Sequence, residues 1–169
     1  MALAAALAGG TATAASPLRG APTARMHAAT GTGSFGGVAF RGLSAVASWN
    51  PETRSLTLSV FDRPHVGCAT LGRTMAIRPG RSIHVVVARV PAKLLRGATI
   101  RDPFVRFAHR IDRSNVETQL VQHGVRLRLT DLGRSVGGRW RGRLDVASRR
   151  VDGRTYSYAG TFVAPSCRL

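Results

Sequence analysis

The chemistry open to this chain rests on two cysteines, five histidines, eight acidic residues and 25 basic ones. Cys68 and Cys167 are the only thiols. In an oxidising compartment such a pair is expected to form a disulfide. It would close a loop of roughly 100 residues, worth up to ~4.7 kcal/mol through the chain entropy it removes. Three or four ligands are needed for a metal site. Only His65 stands near, three residues before Cys68, and His-x-x-Cys alone completes no such set. The expectation is therefore a structural disulfide, with no metal and no cofactor.

The histidines are His27, His65, His84, His109 and His123. Asp62 precedes His65 by three, and His109 precedes Asp112 by three, so each acid and imidazole could make a local hydrogen bond. A general base also needs a positioned nucleophile, and no residue stands out as one. His84 lies in an apolar run and reads as a satisfied or edge histidine. The acids are Glu52, Asp62, Asp102, Asp112, Glu117, Asp131, Asp145 and Asp152, several at turn positions. No Gly-x-Ser-x-Gly elbow, His-Glu-x-x-His helix, phosphate-binding glycine loop or calcium loop occurs. Two carboxylates could still meet in space as a glycosidase pair, but no motif points to one.

The strongest lead is charge. The formal net charge is +17, and every basic side chain is arginine except Lys93. Such a chain attracts polyanions. A high-GC genome would also favour arginine codons, so placement matters more than number. Arg139, Arg141 and Arg143 alternate with Trp140, Gly142 and Leu144, and Arg126 and Arg128 alternate with Val125, Leu127 and Leu129. If those strands are neighbours, one sheet face carries a plate of guanidiniums suited to sulfate, phosphate or carboxylate arrays. The competing reading is a solvated face that guards a sheet edge. Nucleic acid is disfavoured, because Tyr156 and Tyr158 take the inward face and leave no aromatic beside the arginines for stacking.

The elements that would position these residues are strands. Period-two alternation and turn residues run from about Ser34 onward. Strands are predicted at Leu43–Trp49, with Gly37–Arg41 as a first half bent at Gly42, and at Ser55–Phe61. Further strands are predicted at Ile83–Val90, Phe104–His109, Val116–Gln122, Gly124–Thr130, Gly138–Val146 and Thr155–Val163. Pro91–Arg96 could hold one helical turn. A hairpin joins the last two strands. A two-residue Asp152-Gly153 turn would set the arginine row on the aromatic face. A three-residue loop from Val151 instead pairs Leu144 with Gly160 and Val146 with Tyr158, and is the expected register. The fold class is all-β: an antiparallel sandwich or partly open barrel of about seven to nine strands with little helix.

The ending from Tyr158 through Gly160-Thr161-Phe162 to Cys167, and the Trp49–Leu58 hairpin, resemble small exported β-sandwich proteins of high-GC bacteria that finish in a Gly-Thr-Phe strand and a cysteine. That resemblance implies an exported sandwich and carries no activity with it.

Residues 1–15 are Ala-rich, and Ala12-Thr13-Ala14 has the small-x-small form a signal peptidase accepts, although no charge precedes Arg19. The expected organisation is a signal peptide at 1–15, a flexible linker at 16–33 and a single β domain at 34–169. No apolar run is long enough for a transmembrane segment. The expected protein is secreted or envelope-associated. It would be a non-enzymatic module that binds anionic polymer, glycan or lipid headgroups through Arg126, Arg128, Arg139, Arg141 and Arg143. Two alternatives stand beside it: a structural or protein-interaction domain with incidental charge, and a hydrolase with an unrecognised site.

Overall fold

Eleven strands account for most of the computed structural model, which describes residues 28–71, 79–111, 115–135 and 137–167. The expected signal peptide and the linker up to residue 27 lie outside the described residues. In chain order the strands are β1 (Ala28–Phe35), β2 (Val38–Gly42), β3 (Ser44–Asn50), β4 (Ser55–Phe61), β5 (Gly80–Val87) and β6 (Thr99–Arg101). They continue as β7 (Phe104–Arg110), β8 (Val116–Val121), β9 (Val125–Asp131), β10 (Arg139–Val151) and β11 (Arg154–Cys167). They form one sheet in the order β6-β9-β10-β11-β3-β4-β5-β7-β8, and β1 joins β11 to β2.

The long strand β11 makes the sheet curl. Its first part pairs with β1, from Phe35↔Tyr156 to Ala28↔Val163. Its tail leaves β1 and pairs in parallel with β3 at Ser166↔Ala47 and Cys167↔Ser48. The two halves of the sheet thus hang on one strand and fold toward each other, giving a partly open half-barrel. Leu127, Leu129, Trp140, Leu144, Tyr158 and Phe162 from one half meet Leu56, Leu58, Val60, Ile83, Val85 and Phe107 from the other in one core. Alternation dictates this: on β9, and on β10 as far as Val146, every second residue is buried and its neighbours are exposed or half-buried.

The last hairpin reconciles two demands that looked incompatible. Its turn is the two-residue Asp152-Gly153 type with Val151 opposite Arg154, and both central residues have positive φ, 48° and 76°. The expected three-residue loop is absent. Beyond the turn, a bulge between Val146 and Arg149 adds one residue to β10. Leu144 then faces Gly160 and Val146 faces Tyr158, the pairing the apolar rows require.

Three further departures have local causes. Strand β1 occupies part of the expected linker. Its inward positions include Gly31 and Gly33, so it shows no apolar alternation. A Cβ on Gly31 would lie 2.6 Å from the Gly160 Cα. Of Gly37–Arg41, Gly37 lies in the turn and the rest belongs to β2, which pairs with β1, and the chain crosses to the other half after Gly42. Pro91–Arg96 is a turn closed by the Leu94 N–H to the Pro91 carbonyl at 3.1 Å, not a helix. Among the described residues only 68–71 are helical, and no helix is long and apolar enough to cross a membrane.

Cys68 and Cys167 are bonded, with Cα atoms 5.1 Å apart. The bridge ties the arm that leaves β4 to the tail of β11. Under it lies a small second core of Val46, Phe61, Val66 and Cys167, with Leu71 packed against it. The arm is also held by the Ser44 hydroxyl, which donates to the Arg63 carbonyl at 2.6 Å.

Candidate functional site

The outer face of β6, β9 and β10 carries the arginines. Because β9 and β10 are neighbours, Arg128 stands directly opposite Arg143, and Arg126 opposite Asp145. Strand β6 adds Arg101 opposite Arg126 and Thr99 opposite Arg128. Arg141 stands opposite Asp131, and Arg139 is half-buried at the start of β10. The five arginines predicted from sequence therefore share one face. Arg101 was missed, because a three-residue strand leaves no alternation to read.

Two acids interrupt this plate. Asp145 takes the Arg143 guanidinium in a paired contact, 2.9 Å from Nε to each carboxylate oxygen, with a further nitrogen at 2.9 Å. Those bonds raise the pKa of Arg143 and keep it charged. The pairing runs along β10 rather than across to Arg126, which stands opposite Asp145. Asp131 lies 3.7 Å from Arg96. Among the described residues no carboxylate is within ion-pair distance of Arg101, Arg126, Arg128 or Arg141. Threonines continue the face across β11 and β1, where Thr161 and Thr30 share a hydrogen bond of 2.8 Å.

A second feature lies at the open end of the half-barrel. There the inward positions of β5, β7 and β8 turn polar, and the core gives way to a cleft of about 710 Å³. Arg81, His109 and Glu117 face Phe35, Tyr156 and Arg154 across it. Glu117 lies 4.0 Å from the His109 Nδ1 and 3.8 Å from Arg154. Phe35, Phe107 and Tyr156 stack edge-on beneath, with centroids 5.3–5.7 Å apart. The size suits a small molecule. The acid and imidazole needed for proton transfer are adjacent, but Glu117 also serves Arg154.

Of the two acid–imidazole pairs suggested by spacing, only Asp62 and His65 lie among the described residues, and they do not pair. His109 is in β7 and faces Glu117; Asp112 lies outside the described residues. Asp62 accepts the Arg81 backbone N–H at 3.0 Å, while His65 is exposed with φ at 62°. His84 is satisfied, as expected: it is 4% exposed, with Ser59 at 2.8 Å and Ser82 at 2.9 Å. Among the described residues no group of three or more His, Cys, Asp and Glu side chains could hold a metal ion. Comparison with family models, curated proteins and solved structures yields no match.

Proposed function

We propose that this domain acts outside the cytoplasm as a non-enzymatic binding module, presenting the β6–β9–β10 face to anionic polymers, glycans or lipid headgroups. One observation carries the reading: arginine stands opposite arginine across two strand pairs, on a face with few acids. Like charges directly opposite destabilise a sheet by roughly 0.2–1 kcal/mol per pair. A polyanion laid across the strands would turn that repulsion into attraction, and guanidiniums suit it because their planar forks hold oxyanions by two bonds. The disulfide supports a location outside the cytoplasm, since reduced thiols are the rule inside.

The test is binding to immobilised poly(glycerol phosphate) and to phosphatidylglycerol vesicles, measured across a salt series. Affinity should fall steeply between about 50 and 200 mM salt as counterions reoccupy the polymer. The Arg126→Gln/Arg128→Gln/Arg141→Gln variant should bind at least about tenfold more weakly, with Tm unchanged or slightly raised, because these side chains are exposed and the substitutions relieve both arginine–arginine oppositions. Unchanged binding by that variant would refute the reading.

A protein-interaction role has one observation in its favour. Strand β8 ends the sheet order and exposes Val116 and Leu120. A free edge of this kind can pair with an added strand.

A further inference from the structure

The outer face of β5 and β7, in the other half of the sheet, holds a hollow of about 200 Å³. Arg63, Arg106 and Arg110 surround it, with His84, Ser82 and Thr118 among its walls; among the described residues no carboxylate lines it, and the nearest to an arginine of the hollow is Asp62, 3.9 Å from the Arg63 Nε. Strand register explains the grouping. Arg106 is opposite His84, Ala108 opposite Ser82, and Arg110 opposite Gly80. Arg63 arrives from the disulfide-pinned arm.

The polar groups beneath are unusually deep. His84 is 4% exposed, and Ser59 and Ser82 are each 6% exposed. The imidazole Nδ1 faces the Ser59 hydroxyl and Nε2 faces the Ser82 hydroxyl. A serine beside a histidine suggests a nucleophile and its base, but the charges here oppose that chemistry. Burial and then the nearby Arg106 push the His84 pKa down to about 4. Among the described residues no carboxylate lines the hollow to compensate an imidazolium, so His84 is a poor proton acceptor. The surroundings that disfavour a cation favour an anion.

The direction of these hydrogen bonds follows the imidazole tautomer. A neutral imidazole carries one N–H. If the Ser59 hydroxyl donates to Nδ1, the Nε2–H donates to the Ser82 oxygen, and the Ser82 proton must find an acceptor. Its protein choice is the Ala108 carbonyl at 3.5 Å, a long contact. An oxygen placed in the hollow would be a better one. Each donor in such a chain polarises the next.

We propose that this hollow binds a small phosphate- or sulfate-type oxyanion, held by Arg63, Arg106 and Arg110 and by a hydrogen bond from Ser82 relayed through Ser59 and His84. The oxyanion could be free, or the terminus of a larger molecule such as a lipid headgroup. This site is separate from the β9–β10 face, and the two stand or fall separately.

The test is titration of the full, oxidised protein with inorganic phosphate, inorganic sulfate and phosphatidylglycerol vesicles, followed by calorimetry and by the imidazole ¹⁵N resonances. Phosphate or sulfate should bind saturably and shift the His84 ring and Ser82 amide signals. Arg106→Gln should weaken binding at least about tenfold, the scale of one lost charge-assisted hydrogen bond, and Ser82→Ala should weaken it by a smaller factor. Arg126→Gln/Arg128→Gln should leave it unchanged. Saturable phosphate binding without vesicle binding assigns a free or terminal oxyanion; vesicle binding that Arg106→Gln abolishes assigns a headgroup. Absence of saturable binding in every arm overturns the proposal. So does equal loss in the Arg126→Gln/Arg128→Gln variant, which would mark a diffuse charge effect. A protonated Nδ1 in the bound state would overturn the relay.

Discussion

Cutting the Cys68–Cys167 bridge tests the mechanics of the fold most directly. The bridged residues are 99 apart in sequence. Loop closure over that span is worth up to ~4.7 kcal/mol in the chain-entropy model, and native disulfides typically give about 2–5 kcal/mol. Most of this acts on the unfolded chain, so the folded body should survive. The β11 tail keeps its parallel pairing to β3, and the Ser166 N–H still donates to the Gly138 carbonyl at 2.7 Å. The double variant Cys68→Ala/Cys167→Ala should therefore lose about 2–5 kcal/mol in urea unfolding, or roughly 5–20 °C of Tm for a chain of this size, with far-UV circular dichroism intact. The loss should also have a local component. Amide exchange at Val66, Gly67 and Thr70, in the arm, should accelerate more than exchange at Leu127 or Leu144, in the main core. A change below about 1 kcal/mol would refute the loop-closure reasoning. Uniform acceleration across both cores would refute the claim that the bridge pins a separate arm.

Two further predictions concern buried polar groups. The folded His84 pKa of about 4 lies below its ordinary 6.5, so between these values the unfolded chain binds the extra proton. Stability should rise with pH through that window, by at most about 1.4 kcal/mol per unit, and be complete above it. Urea unfolding from pH 7 to pH 4, with the His84 ring followed by NMR, checks this; a ring titrating near 6.5 would contradict it. The Tyr158 hydroxyl is buried with no hydrogen-bond partner among the described residues, and burial pushes its pKa up to about 12. Tyr158→Phe should thus be neutral or stabilising by up to about 1 kcal/mol, whereas losing a paired buried hydroxyl would destabilise by a similar amount. Thermal unfolding separates the two.

What the sequence reveals depends on where side chains alternate. Strands β4, β9 and β10 are bounded by turns and alternate cleanly, so their inward residues could be read directly. The arginine face followed from the same pattern. Strand β1 could not be read this way, because Gly31 and Gly33 occupy inward positions where a larger side chain would carry the signal. The Tyr158 ring end fills that space: a Cβ on Gly31, Gly42 or Gly160 would lie 2.5–2.6 Å from its hydroxyl. A sheet layer built from glycine and one tyrosine looks like a linker when read as sequence. The hairpin register was legible but its mechanism was not, since a bulge costs one residue and leaves no mark in composition. The cleft and the hollow were hidden for a different reason. Each gathers side chains from separate strands, and only the strand order β4-β5-β7-β8 makes His84, Ser59 and Arg106 neighbours, or His109 and Glu117.

The acids explain why so much positive charge reaches the sheet faces. Asp102 accepts the Val125 N–H at 3.1 Å, Asp62 the Arg81 N–H at 3.0 Å, and Asp131 the Leu132 N–H at 2.9 Å. Asp152 supplies a positive-φ turn position, and Glu52 sits in the turn capped by the Asn50 side chain. These carboxylates do work at strand ends and turns. Among the described residues only Asp145 lies mid-strand on the arginine face, and it is engaged with Arg143 along the same strand. A compositional bias toward arginine can set the number of cations. It does not by itself separate them from the anions. Here the separation follows from the fold: acids at the strand ends serve the backbone, and arginines at mid-strand face outward. The basic plate is a consequence of that division; the hollow on the other half of the sheet combines mid-strand Arg106 with Arg110 at the end of β7 and Arg63 from the arm, the two halves being joined by β11 and fastened at its tail by Cys167.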